Sequence, residues 1–155
     1  PIMREVITRA DQGVAVLGIC NGFQVLTETG LLPGALLPNA GLKFVCRNVR
    51  IRVENSQTLF TNHYDKDQFL CIPVAHHDGQ YFAQPDTLAE LKDQDRIAFR
   101  YDNDNPNGSV ENIAGILNKQ KTVLGLMPHP ERAAEAIHGG TDGQGMMQSL
   151  VTALS

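Results

Sequence analysis

The chain is 155 residues long, with 13 Lys and Arg against 17 Asp and Glu, a net charge of −4. Hydrophobic residues at 42% and charged ones at 19% fit one globular core and exclude intrinsic disorder, while mild acidity without a Lys/Arg-rich run argues against nucleic acid or an anionic membrane as partner. No apolar stretch reaches the ~18 residues of a membrane-spanning helix, and three scattered cysteines, Cys20, Cys46 and Cys71, make no disulfide framework and suit a reducing, cytoplasmic setting.

The segment Pro1 to Ile7 reads as the middle of a domain. Ile2, Met3, Val6 and Ile7 recur at helical spacing, and Gly13 stands where a helix stops. Val14 to Cys20 is a nearly continuous apolar run, the pattern of a strand buried on both faces, although a buried helix shares that pattern. Asn21-Gly22 then opens a short helix through Phe23, Val25, Leu26 and Thr29, stopped by Gly30 and Pro33. Val45, Val49, Ile51 and Val53 keep a period of two, broken by Arg47, which predicts a strand with one buried face. Asn55 to Gln68 is polar and predicts a loop. Phe69 to His76 predicts a strand ending at the turn His76-His77-Asp78-Gly79. Arg96 to Tyr101 and Ser109 to Leu117 predict strands joined by a dense turn signal from Asp102 to Gly108. Val123 to Met127 is a further strand, ended by Pro128-His129-Pro130-Glu131. Gly139 to Gly145 reads as a loop and Met146 to Leu154 as a closing helix. The expected architecture is one α/β domain over residues 1–155, with antiparallel strands added to its sheet.

Gly18-Ile19-Cys20-Asn21-Gly22 has the form of a nucleophile elbow, in which glycines two residues either side give a strained backbone room. The turn sets the sulfur at the N-terminus of the next helix. There the partial positive charge favours the thiolate, and the N–H of Asn21 can serve as an oxyanion donor. A small buried residue at a strand end is the plain alternative. Of the five histidines, His129 alone ends a buried-type strand with a carboxylate two residues on. In an extended segment such side chains share a face, so Glu131 can hold one imidazole nitrogen while the other faces the thiol. A surface His-Pro-Glu turn is the alternative there. His76 and His77, adjacent in a strand, point to opposite faces and do not predict a shared metal ion. Arg47, Arg50 and Arg52 read as a solvated face, a basic patch for a partner being the rival reading. Gly139 to Gly143 reads as a loop rather than a phosphate cradle, and Cys46 and Cys71 as packing residues within strands.

Taken together, Gly18 to Gln24 and Met127 to Ala133 resemble the G-x-C-x-G-x-Q elbow and the P-x-H-P-E segment of triad-type (class I) glutamine amidotransferases. Cys20 to Glu28, Gly30 to Gly34 and Asn105-Pro106-Asn107-Gly108-Ser109 narrow the resemblance to small glutaminase subunits of purine biosynthesis, along the whole chain. The resemblance implies a flavodoxin-like, open, mostly parallel sheet with helices on both faces. It implies Cys20 as nucleophile, His129 as base and Glu131 as the group orienting it, with Asn21, Gln24, Asn107 and Gly108 at the substrate L-glutamine. No metal and no cofactor are implied for this chain. Glutamine would become glutamate and ammonia through a cysteinyl thioester. Ammonia would pass to a large synthetase subunit, with a small bridging subunit in the same complex, where ATP and Mg activate formylglycinamide ribonucleotide. A similar His-acid-Gly turn occurs in the family, lining the site or the partner surface. Family members begin with further βα units and a glycine-rich loop that donates a second oxyanion N–H. Here that portion is expected to be missing, leaving the sheet truncated at its N-terminus and residues 1–155 a poor glutaminase alone, because one such donor is worth ~10²–10³ in rate. Other readings stay open: glutaminase service to a guanylate or anthranilate synthase, a non-catalytic regulatory module with a redox-active Cys20, and a cysteine hydrolase of other substrates.

Overall fold

Short apolar runs separated by tight turns build a sheet whose strands deliver polar side chains at one end. The computed structural model describes residues 2–155; Pro1, at the head of the expected opening helix, lies outside the described residues. Four helices, α1 (Ile2–Asp11), α2 (Asn21–Glu28), α3 (Pro85–Asp93) and α4 (Gln144–Leu154), accompany eight strands. These are β1 (Val16–Ile19), β2 (Ala35–Leu37), β3 (Val45–Val53), β4 (Phe69–His76), β5 (Gln80–Phe82), β6 (Ile97–Tyr101), β7 (Ile113–Leu117) and β8 (Val123–Leu126).

The main sheet has six strands in the order β1-β8-β7-β6-β3-β4, and β2 pairs with β5 in a separate ribbon. Helices cover both faces. Phe23, Leu26, Leu88 and Leu91 of α2 and α3 pack with Ile113 and Ile116 on one side. Met146 of α4 joins Phe60, Tyr64, Ile51, Ile72 and Val74 on the other. The α/β class therefore holds, but a mostly parallel sheet does not describe these residues. Only β1 and β8 pair in parallel; β8–β7, β7–β6, β6–β3 and β3–β4 are antiparallel. Connection length is the reason where it is shortest. The turn between β7 and β8 spans only residues 118–122, whereas a parallel link needs a crossover of about a dozen residues or more. Because β7 and β3 run against their neighbours, β1, β8, β6 and β4 all point the same way, and their C-terminal ends share one end of the molecule.

Other expectations need adjustment. Residues 55–68 form a loop, yet they bury Thr58, Phe60, Thr61 and Tyr64 against the core. Residues Val110–Asn112 are a 3-10 turn, so β7 begins later than its apolar pattern. Cys46 and Cys71 lie in strands but are exposed, on the outer face of β3 and β4 that also carries Arg50. They are not packing residues. The arginines of β3 are paired, Arg47 with Asp104, Arg50 with Asp102 and Arg52 with Glu54, so they stand solvated with balanced charge. His76 is buried and His77 exposed, on opposite faces as the strand period requires. Among the described residues, no helix is long and apolar enough to cross a membrane.

Candidate active site

Cys20 stands between β1 and α2 with φ 53° and ψ −109°, a backbone conformation that L-residues avoid. It is held from both sides. Its N–H donates to the Leu126 carbonyl at 2.8 Å, extending the β1–β8 ladder, and its carbonyl accepts from Phe23 and Gln24 at 3.0 and 3.3 Å, starting the helix. Gly18 is required by packing: a Cβ there would overlap Leu26 and lie 2.8 Å from the Gly22 carbonyl oxygen. Gly22 is different, since a Cβ at that position meets nothing within 4 Å. Its expected steric role is absent from the fold itself.

The half-buried thiol donates to the Ala75 carbonyl of β4 at 3.6 Å. Burial pushes the Cys20 pKa up; the Asn21 N–H and Arg132 pull it down by less, and Glu131 adds to the rise. The expected depression by the helix N-terminus is thus present but outweighed by loss of water, and the resting group is the thiol.

His129 follows β8 and is pinned by its own N–H, which donates to the Pro73 carbonyl of β4 at 2.8 Å. Its ring is buried, and Nδ1 lies 2.6 Å from Glu131 Oε1. A carboxylate accepts, so Nδ1 carries the proton and Nε2 keeps its lone pair. That Nε2 is buried with no hydrogen-bond partner. The contact forms across the 3-10 turn Pro130–Ala133 rather than along an extended segment. Arg132 Nε lies 3.5 Å from the same Glu131 oxygen.

Pro73 and Ala75 are two residues apart on the outer edge of β4, about 7 Å of strand rise. The sheet curls until this edge meets the ends of β1 and β8, and the two carbonyls hold the thiol of Cys20 and the backbone of His129 side by side. Pro73 and Ala75 carry no chemical signal in sequence, because only their main chain is used.

The residues expected at the substrate are placed differently from one another. Asn21 is exposed as the first residue of α2, with its N–H at the sulfur. Gln24, one turn on, donates through Nε2 to the Asp78 carbonyl at 2.6 Å and so ties α2 to the His76–Gly79 turn. Asn107 is buried: its amide donates to Tyr101 Oη at 3.1 Å and to His76 Nε2 at 3.4 Å, and its oxygen accepts from Ser109. Gly108 lies beside it, its carbonyl accepting from Gln80 at 3.0 Å. The structure brings Cys20, Asn21, His129 and Glu131 to one place, with Gln24 and Asn107 bracing the turns around it. Asn39 and Tyr101, which the sequence did not single out, complete the bracing.

The sequence pattern of the CobB/CobQ-like glutamine amidotransferase domain matches residues 3–147. The phosphoribosylformylglycinamidine synthase subunit PurQ of Novosphingobium aromaticivorans is 58% identical over 154 residues, covering 99% of this chain and 68% of that protein. This chain belongs to the PurQ family of glutamine amidotransferases. It is a glutaminase subunit of phosphoribosylformylglycinamidine synthase and serves purine biosynthesis. The solved structure of PurLQS from Thermotoga maritima superposes with a TM-score of 0.90 at 45% identity, over 99% of this chain and 68% of the matched one. A putative GMP synthase component from Thermoplasma acidophilum superposes with a TM-score of 0.61 at 16% identity, over 92% of this chain and 58% of that one. It shares the fold alone, so guanylate service gives way to the PurQ assignment. The fold is that of class I glutamine amidotransferases, with a mixed, curled sheet.

Proposed function

We propose that Cys20, His129 and Glu131 carry out the glutaminase reaction of this chain. What supports the reading above all is the β4 edge, whose Ala75 and Pro73 carbonyls hold thiol and imidazole together. Glutamine binds with its side-chain amide at Cys20. The thiol proton passes to His129 Nε2, and the thiolate attacks the amide carbon. The oxygen that becomes negative faces the Asn21 N–H. Glu131 holds the imidazolium through Nδ1 and balances its charge. His129 then gives its proton to the departing nitrogen, the C–N bond breaks, and ammonia leaves a γ-glutamyl thioester. Water, deprotonated by the same Nε2, cleaves the thioester to glutamate and restores the thiol.

Because burial keeps Cys20 a thiol at rest, proton transfer to His129 is coupled to substrate arrival rather than completed beforehand. Gln24 and the turns braced by Asn107 and Gly108 shape the place of the substrate's α-amino and carboxylate groups. No cofactor takes part in these steps. ATP and Mg act on formylglycinamide ribonucleotide in a large synthetase subunit of the PurL type, and a small PurS-type subunit bridges the two. The name of the Thermotoga assembly, PurLQS, supports those partners.

The deciding experiment uses the assembled synthase. Cys20→Ala is expected to abolish glutamine-dependent amination and leave ammonia-dependent amination intact. Equal use of glutamine by wild type and variant refutes the assignment.

A further inference from the structure

The turn His76-His77-Asp78-Gly79 follows Ala75, whose carbonyl holds the thiol. It presents four backbone carbonyls, and each is taken by a donor from another part of the fold. Gln24 Nε2 of α2 donates to the Asp78 carbonyl at 2.6 Å, and Ser109 Oγ donates to the Gly79 carbonyl at 3.3 Å. The remaining two go to a single residue. Asn39 donates through Nδ2 to the His76 carbonyl at 3.0 Å and through its own N–H to the His77 carbonyl at 2.8 Å. Its Oδ1 accepts from the Gly79 N–H at 3.0 Å and from His76 Nδ1 at 3.1 Å. Asn39 thus grips the first, second and last residues of the turn, and Gln24 holds the third.

Only a carboxamide of this length supplies that grip, because it joins two donors to an acceptor with two lone pairs. The second Nδ2 donor goes to the Lys43 carbonyl at 2.8 Å, so the amide has no spare capacity and its orientation is fixed. Asn39 is itself anchored. Its carbonyl accepts from the Leu42 N–H at 2.8 Å, and the next residue, Ala40, donates to the Asn107 carbonyl at 3.0 Å. The side chain is fully buried, so its removal strands a carbonyl, an N–H and an imidazole nitrogen of the turn without partners.

We propose that Asn39 is a positioning residue for the substrate: it holds the 76–79 turn in the arrangement that meets Gln24, and so sets the affinity for glutamine without acting on the reacting atoms. This inference rests on the reading that Gln24 and the turns beside it shape the place of the substrate's α-amino and carboxylate groups. The effect is one of population. With Asn39 in place the turn is arranged before glutamine arrives. Without it the competent arrangement is one among several, and apparent affinity falls by the competent fraction while the bound complex reacts as before. The nucleophile is not drawn in, since Ala75 stays paired with Cys46 across the β3–β4 ladder.

The test uses the assembled synthase. Asn39→Ala removes the side-chain grip. Asn39→Asp keeps the shape and both acceptor bonds but turns Nδ2 into an oxygen that faces two carbonyls. Three quantities are read: the kinetics of glutamine-dependent amination, a thermal melt, and the glutamine concentration that halves iodoacetamide alkylation of Cys20. KM and the half-protecting concentration are both expected to rise about tenfold, with kcat within about threefold, the signature of lost binding rather than lost chemistry. Alkylation of Cys20 without glutamine and ammonia-dependent amination are expected to match wild type. Wild-type KM and protection in either variant overturn the inference, whatever the melting temperature, and so does a loss confined to kcat. Gln24→Ala separates the inference from its foundation. If that variant keeps a wild-type KM, the reading of the substrate's place has failed; if it raises KM and the Asn39 variants do not, only the role of Asn39 has.

Discussion

At residue scale, the site depends on one strained backbone. Cys20 keeps φ at 53° because β8 and α2 hold it from both sides. A non-glycine residue in such a conformation costs on the order of 1–3 kcal/mol, whereas glycine adopts it freely and gives up only ~0.5–1 kcal/mol of chain entropy. Two inactive variants therefore have an unusual order of stability. Cys20→Gly is expected to be more stable than Cys20→Ala by about 1 kcal/mol in urea titrations, because both lose the sulfur and only alanine retains a Cβ at that φ. An alanine variant as stable as the glycine one would mean that the elbow is not strained. The glycines flanking Cys20 made the elbow legible in sequence. Their reasons differ, since Gly18 avoids an overlap and Gly22 stands in open space.

At the scale of elements, β4 holds the site together. Its outer edge receives Cys20 and His129 through Ala75 and Pro73, and its last residue, His76, ties the end of the strand to Asn39 and Asn107. Burial, with the charge of His129 nearby, lowers the His76 pKa to about 4. In the unfolded chain the same group titrates near 6.5. The unfolded state thus binds the proton first, and the stability contributed by neutral His76 is complete above about pH 6.5 and is lost as pH falls towards 4. Wild type is expected to lose about 3 kcal/mol more over that interval than His76→Gln, as read from urea midpoints at several pH values. Parallel pH curves for the two proteins would show that His76 is not held neutral. The strand itself was read from sequence over Phe69 to His76, and so was the opposite facing of His76 and His77. What acts at β4 was not. Two carbonyls and a curl of the sheet are main-chain features, and Asn39, beside a proline, looks like any turn residue until its four hydrogen bonds are seen. The ribbon of β2 and β5 and the helix α3 were also missed, because three-residue strands and a short helix opened by Pro85 carry little periodic signal.

At the scale of the whole molecule, the C-terminal segment sets the position of the base. The loop before α4 is anchored on β4, where Asp142 accepts from the Cys71 N–H at 2.7 Å. Tyr64 secures it from the core that β4 and α4 share, donating to the Asp142 carbonyl at 2.7 Å and accepting from the Met146 N–H at 2.9 Å. Gly143 then lies against Pro130, between His129 and Glu131 in sequence, and its N–H donates to the Ala133 carbonyl at 2.8 Å. A Cβ at Gly143 would overlap the Pro130 carbonyl oxygen and lie 2.7 Å from the carbonyl carbon. Backbone has to move in response, and the backbone in question carries both the imidazole and the carboxylate. The glycine-rich stretch that reads in sequence as a loop is thus a close-packed support of the His-Glu segment. Gly143→Ala, although it alters no reacting group, is expected to cost about 1–3 kcal/mol of stability through overpacking. Its glutaminase kcat is expected to fall by up to about 10²-fold, the scale of a 1 Å misplacement of a catalytic group. Ammonia-dependent amination by the assembled synthase is expected to persist, since it bypasses the triad. A variant with wild-type glutamine turnover would show that the Pro130 segment yields without displacing His129, and that this contact serves folding alone.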